Sequence, residues 1–153
     1  MERRDDPLRS EQQEPDPSPA AVRLAVALAE RLDAVVSAPF RVRAEGGWVA
    51  LYHGETLDGS AQVAETLDQA TDRAALARYA AWAAEQVLSS VQDGVAEWTT
   101  EWWPLLPGGG MALPGARTDG EHVYLWYGPD GEREAGAVLA FPPISVADLG
   151  SPG

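Results

Sequence analysis

Apolar and polar positions along the chain fall into two periods, and the period changes several times. Residues 19–37 repeat at helical spacing, with Leu24, Leu28, Leu32 and Val35 on one stripe and Arg23, Glu30 and Asp33 away from it. Ser18-Pro19 supplies a cap and a first-turn proline, and Pro39 closes the segment. From Phe40 the period drops to two. Phe40–Ala44 and Trp48–His53 read as strands joined at Gly46-Gly47. A two-residue turn there sets Val42 opposite Leu51 and Arg41 opposite Tyr52. Phe40, Val42, Ala44, Val49 and Leu51 then share one face, and Arg41, Arg43, Trp48 and Tyr52 the other. A three-residue loop would exchange the partner strand's faces.

Residues 54–65 carry glycine and serine and read as a loop, with room for a short strand near Gln62-Val63. Thr66 and Gln69 have the spacing of a capping box, which predicts a long helix from about Leu67 to Val91. Leu76, Tyr79, Ala80, Ala83, Val87 and Val91 form its buried stripe, and Gly94 serves as its C-terminal cap. Val95–Trp103 is rich in aromatic and β-branched residues and reads as a strand ended by Pro104. Residues 104–120 are a Pro/Gly-rich connection. His122–Tyr127 and Glu134–Phe141 are strands about the Gly128-Pro129-Asp130-Gly131 turn. Pro142-Pro143 stops the last, and Ser145 opens a helical turn to Leu149.

The order α-β-β-α-β-β-β predicts an α+β fold: one antiparallel sheet of about five strands with two main helices on one face. The domain spans residues 18–149, between a disordered, acidic, proline-bearing tail at 1–17 and a flexible end at 150–153. In architecture alone the order resembles small bacterial adaptor, immunity and secretion-chaperone folds, with no shared motif.

Composition narrows the chemistry. Among 153 residues there is no lysine, asparagine or cysteine, a bias of GC-rich, bacterial-type codons. Without cysteine there are no disulfides or thiolate ligands, and a cytoplasmic address is expected. No apolar run approaches the roughly 20 residues of a membrane span. The net charge is −13, and residues 44–153 hold sixteen acids against four arginines. Such a body repels nucleic acid and anionic membrane and favours a basic protein partner.

Catalytic and cofactor signals are missing. Gly110–Gly115 has the outer glycine spacing of a phosphate loop, but Ala116-Arg117 follows where Lys and Ser/Thr belong. His53 and His122 lack partners at metal-ligand spacing, and no nucleophile elbow occurs. No catalytic residue, metal or cofactor is assigned.

Binding signals are stronger. Three of six tryptophans lie in Trp98-Thr99-Thr100-Glu101-Trp102-Trp103. Strand alternation sends Trp98 and Trp102 to the core and puts Trp103 beside Glu97 and Glu101 on the open face. The two carboxylates would stand roughly 13 Å apart along a strand. Parity leaves the face of Trp126 open. Trp103, Glu97 and Glu101 therefore form one candidate binding group. Arg41, Arg43, Trp48 and Tyr52 form a second, suited to cation–π stacking and protein contacts. The expected function is a non-catalytic protein-binding module: an adaptor, a chaperone or an immunity-type inhibitor of a basic toxin. A small-molecule or sugar site near Trp103 and the 104–120 loop, possible in an enzyme, is the alternative.

Overall fold

A computed structural model describes residues 16–150. The tail and C-terminal readings therefore lie mostly outside the described residues, at 1–15 and 151–153. The elements in chain order are helix α1 (Pro19–Asp33), strands β1 (Phe40–Glu45), β2 (Trp48–His53) and β3 (Thr56–Gln62), the single turn α2 (Ala64–Leu67), and the long helix α3 (Arg73–Thr99). Strands β4 (Leu113–Thr118), β5 (His122–Gly128), β6 (Leu139–Ala140) and β7 (Ile144–Ser145) follow, and then a 3₁₀ turn at Val146–Leu149. The fold is α+β with antiparallel pairing, but the strands form two sheets instead of one.

The first sheet has the order β1-β2-β3. Its hairpin pairs Val42 with Leu51 and Arg41 with Tyr52. Phe40, Val42, Val49 and Leu51 are buried, while Arg41, Arg43 and Trp48 are exposed. The two turn glycines do different jobs. Gly46 adopts a φ of 63° that L side chains rarely take, and a Cβ on Gly47 would lie 2.7 Å from the Ala64 side chain. The segment read as a loop at 54–65 is in fact β3, which turns back from β2 through Gly54 and Glu55. Its sequence, Thr-Leu-Asp-Gly-Ser-Ala-Gln, is poor in strand-forming residues, so tertiary pairing overrides propensity.

Helix α1 begins as read: the Ser18 hydroxyl accepts the Ala21 N–H. It ends at Asp33, short of residue 37. The long helix differs more. Thr66 and Gln69 do not cap it; they flank the end of α2, and Asp72 caps α3 by accepting the Ala75 N–H at 2.8 Å. The helix also runs through Gly94 to Thr99, so there is no strand at 95–103. Gly94 is an internal residue of close approach. A Cβ there would overlap the Leu51 side chain and come within 2.6 Å of an Asp58 carboxylate oxygen. Val87, Leu88, Val91 and Val95 continue the buried face across it.

Helix α3 packs against β2 and β3 of the first sheet and β4 and β5 of the second. The second sheet centres on β5, with β4 along one edge and β6 and β7 along the other. Strand β4 lies inside the segment expected to be only a connection. The strand expected at Glu134–Phe141 survives only as Leu139–Ala140, and pairing resumes at Ile144 once Pro142-Pro143, which lack N–H donors, have passed.

Two successive residues of β5 are fully buried. Tyr127 points to the main core and donates its hydroxyl to Leu88 O of α3 at 2.6 Å. Burial, and secondarily the charge of Asp93, pushes that phenol well above its ordinary ionisation range. Trp126 takes the other face, where its indole donates to Asp130 O at 2.9 Å and lies over Gly115.

The far end of the domain is laced to α1 by two arginines that grip backbone oxygens. Arg31 donates to Pro142 O at 2.7 Å and Pro143 O at 3.0 Å, and Arg23 donates to Leu149 O at 3.2 Å. Partial burial lowers the Arg31 pKa, with Glu30 opposing the shift.

Candidate functional site

The tryptophan segment folds as a helix end, which changes the direction of every side chain in it. Helix α3 stops where Thr100 enters the left-handed region at φ 57°, its N–H still bonded to Ala96 O at 2.8 Å. The chain then loops outward. It crosses itself at a bridge between Leu105 and Met111, turns through Gly109 and Gly110, and returns to α3, where buried Gln92 donates to Ala112 O. Trp103 turns inward, half-buried, its ring edge-on to Tyr127 at 5.4 Å. These two contacts fix the loop from within.

The other two tryptophans are the reverse of the strand reading. Trp98 is 47% exposed and Trp102 54% exposed, so neither is core. Trp98 nonetheless has a fixed seat. Its ring stacks on His53 with centroids 3.8 Å apart and planes within 1°, and its indole N–H reaches Asp58 Oδ1 at 2.7 Å. Phe40 meets the same imidazole edge-on at 5.1 Å. Trp98 thus fastens the last turn of α3 to β2 and β3.

Among the described residues Trp102 makes no such contact. It lines an open cavity of about 410 Å³ with Ala96, Thr100, Glu101 and Leu105. Leu105 is 63% exposed, and its bridge partner Met111 is exposed as well. Trp102, Leu105 and Met111 thus present apolar surface on a segment whose backbone is tied down, with Glu101 as the charged group of the cavity. Glu97 is exposed on α3 but does not line it, so Trp103, Glu97 and Glu101 are not gathered as one group.

The second candidate group is divided too. Arg41, Arg43 and Tyr52 line a hollow of about 290 Å³ with Glu45, Gly54 and Glu55. The Tyr52 hydroxyl donates to Glu45 Oε2 at 2.5 Å, and this bond is the main reason its pKa is raised; Arg43 opposes the shift. Trp48 lies at the other end of β2 and lines a separate hollow with Pro17 and Gly47. Among the described residues neither Arg41 nor Arg43 stacks on an aromatic ring. That contact occurs on the second sheet, where Arg117 sits 4.1 Å from the Tyr124 ring centroid.

The strand period hid Trp102 as a surface residue. The signal that would have exposed it was the uninterrupted alanine-rich stripe of α3, which carries helical spacing past Gly94 to Val95. Among the described residues no cluster of three or more His, Asp or Glu side chains is placed to hold a metal, and no helix is long and apolar enough to cross a membrane. No family model, curated protein or solved structure matches the chain.

Proposed function

We propose that the chain is a non-catalytic protein-binding module, an adaptor, chaperone or immunity-type inhibitor, that seats an apolar anchor of its partner beside Trp102. The observation that carries this is the exposure of Trp102 and Leu105 at an open cavity, with exposed Met111 bridged to Leu105. Large apolar side chains grouped at a surface mark contact sites, and tryptophan contributes most where it becomes fully desolvated. The formal charge of −13, with Glu101 in the cavity wall, favours a partner with basic residues around that anchor. A cytoplasmic setting belongs to the same proposal, since a cysteine-free chain needs no oxidising compartment.

The test uses the purified chain as bait in an extract of its host, with Trp102→Ser and Leu105→Ser as comparators checked for folding by circular dichroism. A stoichiometric partner retained by the wild type and lost by both variants supports the proposal. Equal retention by all three, or none by the wild type at physiological salt, overturns it.

The cavity's size also favours a second reading, a small-molecule or carbohydrate site, because its volume is within the range of ordinary ligand pockets. Under that reading a metabolite screen finds a compound that changes tryptophan fluorescence in the wild type but not in Trp102→Phe.

A further inference from the structure

The outer edge of the first sheet is half open, and the way it is open points to a kind of partner. In a hairpin closed by two residues, the pair flanking the turn exchanges backbone hydrogen bonds, and every second pair does the same. In β1 these are Glu45, Arg43 and Arg41, paired with Trp48, Ala50 and Tyr52. Phe40, Val42 and Ala44 must then turn their N–H and C=O groups away from β2. Two contacts agree with this parity: Phe40 N–H goes to Ser37 O at 2.9 Å and Val42 N–H to Asp33 Oδ1 at 2.9 Å. Strand β1 is an edge strand. Among the described residues, Ala44 N–H and the carbonyls of Val42 and Ala44 have no partner on that side.

These free groups face a groove of about 410 Å³ between β1 and α1. Val26, Ala29, Glu30 and Asp33 form its helical wall, and Val42 to Glu45 its strand wall. Val26 is 41% exposed. Glu30 and Asp33 bring two carboxylates to the helical wall, while the Glu45 carboxylate is engaged by Tyr52 on the open face. Exposed edges are usually blunted by charge or covered. Here Asp33 covers one donor and leaves the rest.

We propose that this edge accepts an extended segment of a partner protein, with basic side chains at alternate positions, as a fourth strand on the first sheet. Main-chain bonds to Val42 and Ala44 would supply the attachment, and the basic side chains, on the face toward α1, would lay their apolar stems along Val26 and Ala29. Their charged heads would reach Glu30 and Asp33. An incoming Arg or Lys that draws the Asp33 carboxylate aside also frees the Val42 N–H for a further bond. A second copy of this chain fits less well, since pairing β1 with itself would bring Glu30 and Asp33 of both copies to one seam in molecules of net charge −13. This surface is separate from the Trp102 cavity, so the two proposals fail independently.

The probe is a blocked peptide of alternating arginine and valine, about eight residues long, an ordinary strand length. Two control peptides accompany it: the same sequence N-methylated at alternate residues, and its glutamate–valine counterpart. Binding is followed by amide chemical shifts and hydrogen exchange. The expected result is binding that shifts Val42–Glu45 and slows exchange of Ala44 N–H. N-methylation on the bonding side should weaken it by about tenfold or more, the scale of losing backbone bonds that carry the affinity. The glutamate peptide should not bind, Glu30→Gln should weaken binding, and Ala44→Pro should abolish it. Proline is tolerated on an edge strand where the N–H points outward, and the N-methylated peptide decides the matter should that variant not fold. Equal binding of the methylated peptide would reduce the effect to charge alone and overturn the proposal. So would shifts confined to other elements, or concentration-dependent dimerisation through β1.

Discussion

The two sheets share the helix α3 but stand differently toward water. The first buries one face and leaves the other to Arg41, Arg43 and Trp48. The second buries both faces around β5, with Tyr127 turned to the core and Trp126 sealed beneath the chain that follows it. One-sided burial makes a sheet a platform whose outer residues are free to be replaced. Two-sided burial makes it a structural centre in which even successive residues are held. Neither the groove at the β1 edge nor the Trp102 cavity is lined by a residue of β5.

Substitution tests that contrast directly. The largest effect is expected from Trp126→Ala, a loss of about 3–5 kcal/mol as for other large-to-small changes at buried sites. Trp48→Ala on the open face should cost well under half as much, and chemical denaturation of both variants measures the gap. Equal losses would mean that the open face is structurally held as well. Next comes Gly94→Ala. Helix propensity alone favours alanine by up to about 1 kcal/mol, but the new Cβ collides with Leu51 and Asp58. Overpacking of this kind typically costs about 1–3 kcal/mol, so a net loss of stability is expected.

Tyr127→Phe deletes a single buried hydrogen bond, a loss of about 1 kcal/mol at neutral pH. It also carries a pH signature. The folded state holds this phenol protonated well above its unfolded pKa. Its contribution is therefore complete below about pH 10, the unfolded tyrosine value, and is lost as pH rises beyond it. Stability of the wild type should fall more steeply above that pH than stability of Tyr127→Phe, read from urea midpoints across an alkaline series. The smallest effect has the opposite sign. Thr100→Gly relieves a β-branched residue at positive φ and should gain up to about 1 kcal/mol.

The same asymmetry governs how much of the fold is legible in the amino acids. The β1–β2 hairpin is written plainly, down to the pairing of Val42 with Leu51, because only one of its faces is wet and alternation follows directly. The paired Trp126 and Tyr127 defeat alternation, since both faces are dry. Strand β3 is hidden by its small and polar residues, which pair because β2 offers an edge and Gly94 gives the sheet room against the helix. The segment after Gly94 is the costliest case. Trp98 and Thr99 have strand-like propensities, and Gly94 resembles a cap, yet helical packing of Val91 and Val95 carries α3 through to Thr99. That single change of period reversed the directions of Trp98, Trp102 and Trp103. Of the candidate residues, Glu101 is the one the structure places in the Trp102 cavity, and Arg41, Arg43 and Tyr52 stay together on the open sheet.

The lacing of α1 by Arg23 and Arg31 has a consequence in time. Their acceptors lie 126, 111 and 112 residues downstream. Contacts of such separation close late, because the intervening chain must first be gathered in. During synthesis the first helix can meet its hairpin early, but both guanidiniums wait until residues 142–149 have left the ribosome. A nascent chain arrested before that point should be open to proteolysis near α1, and one released after it should be closed.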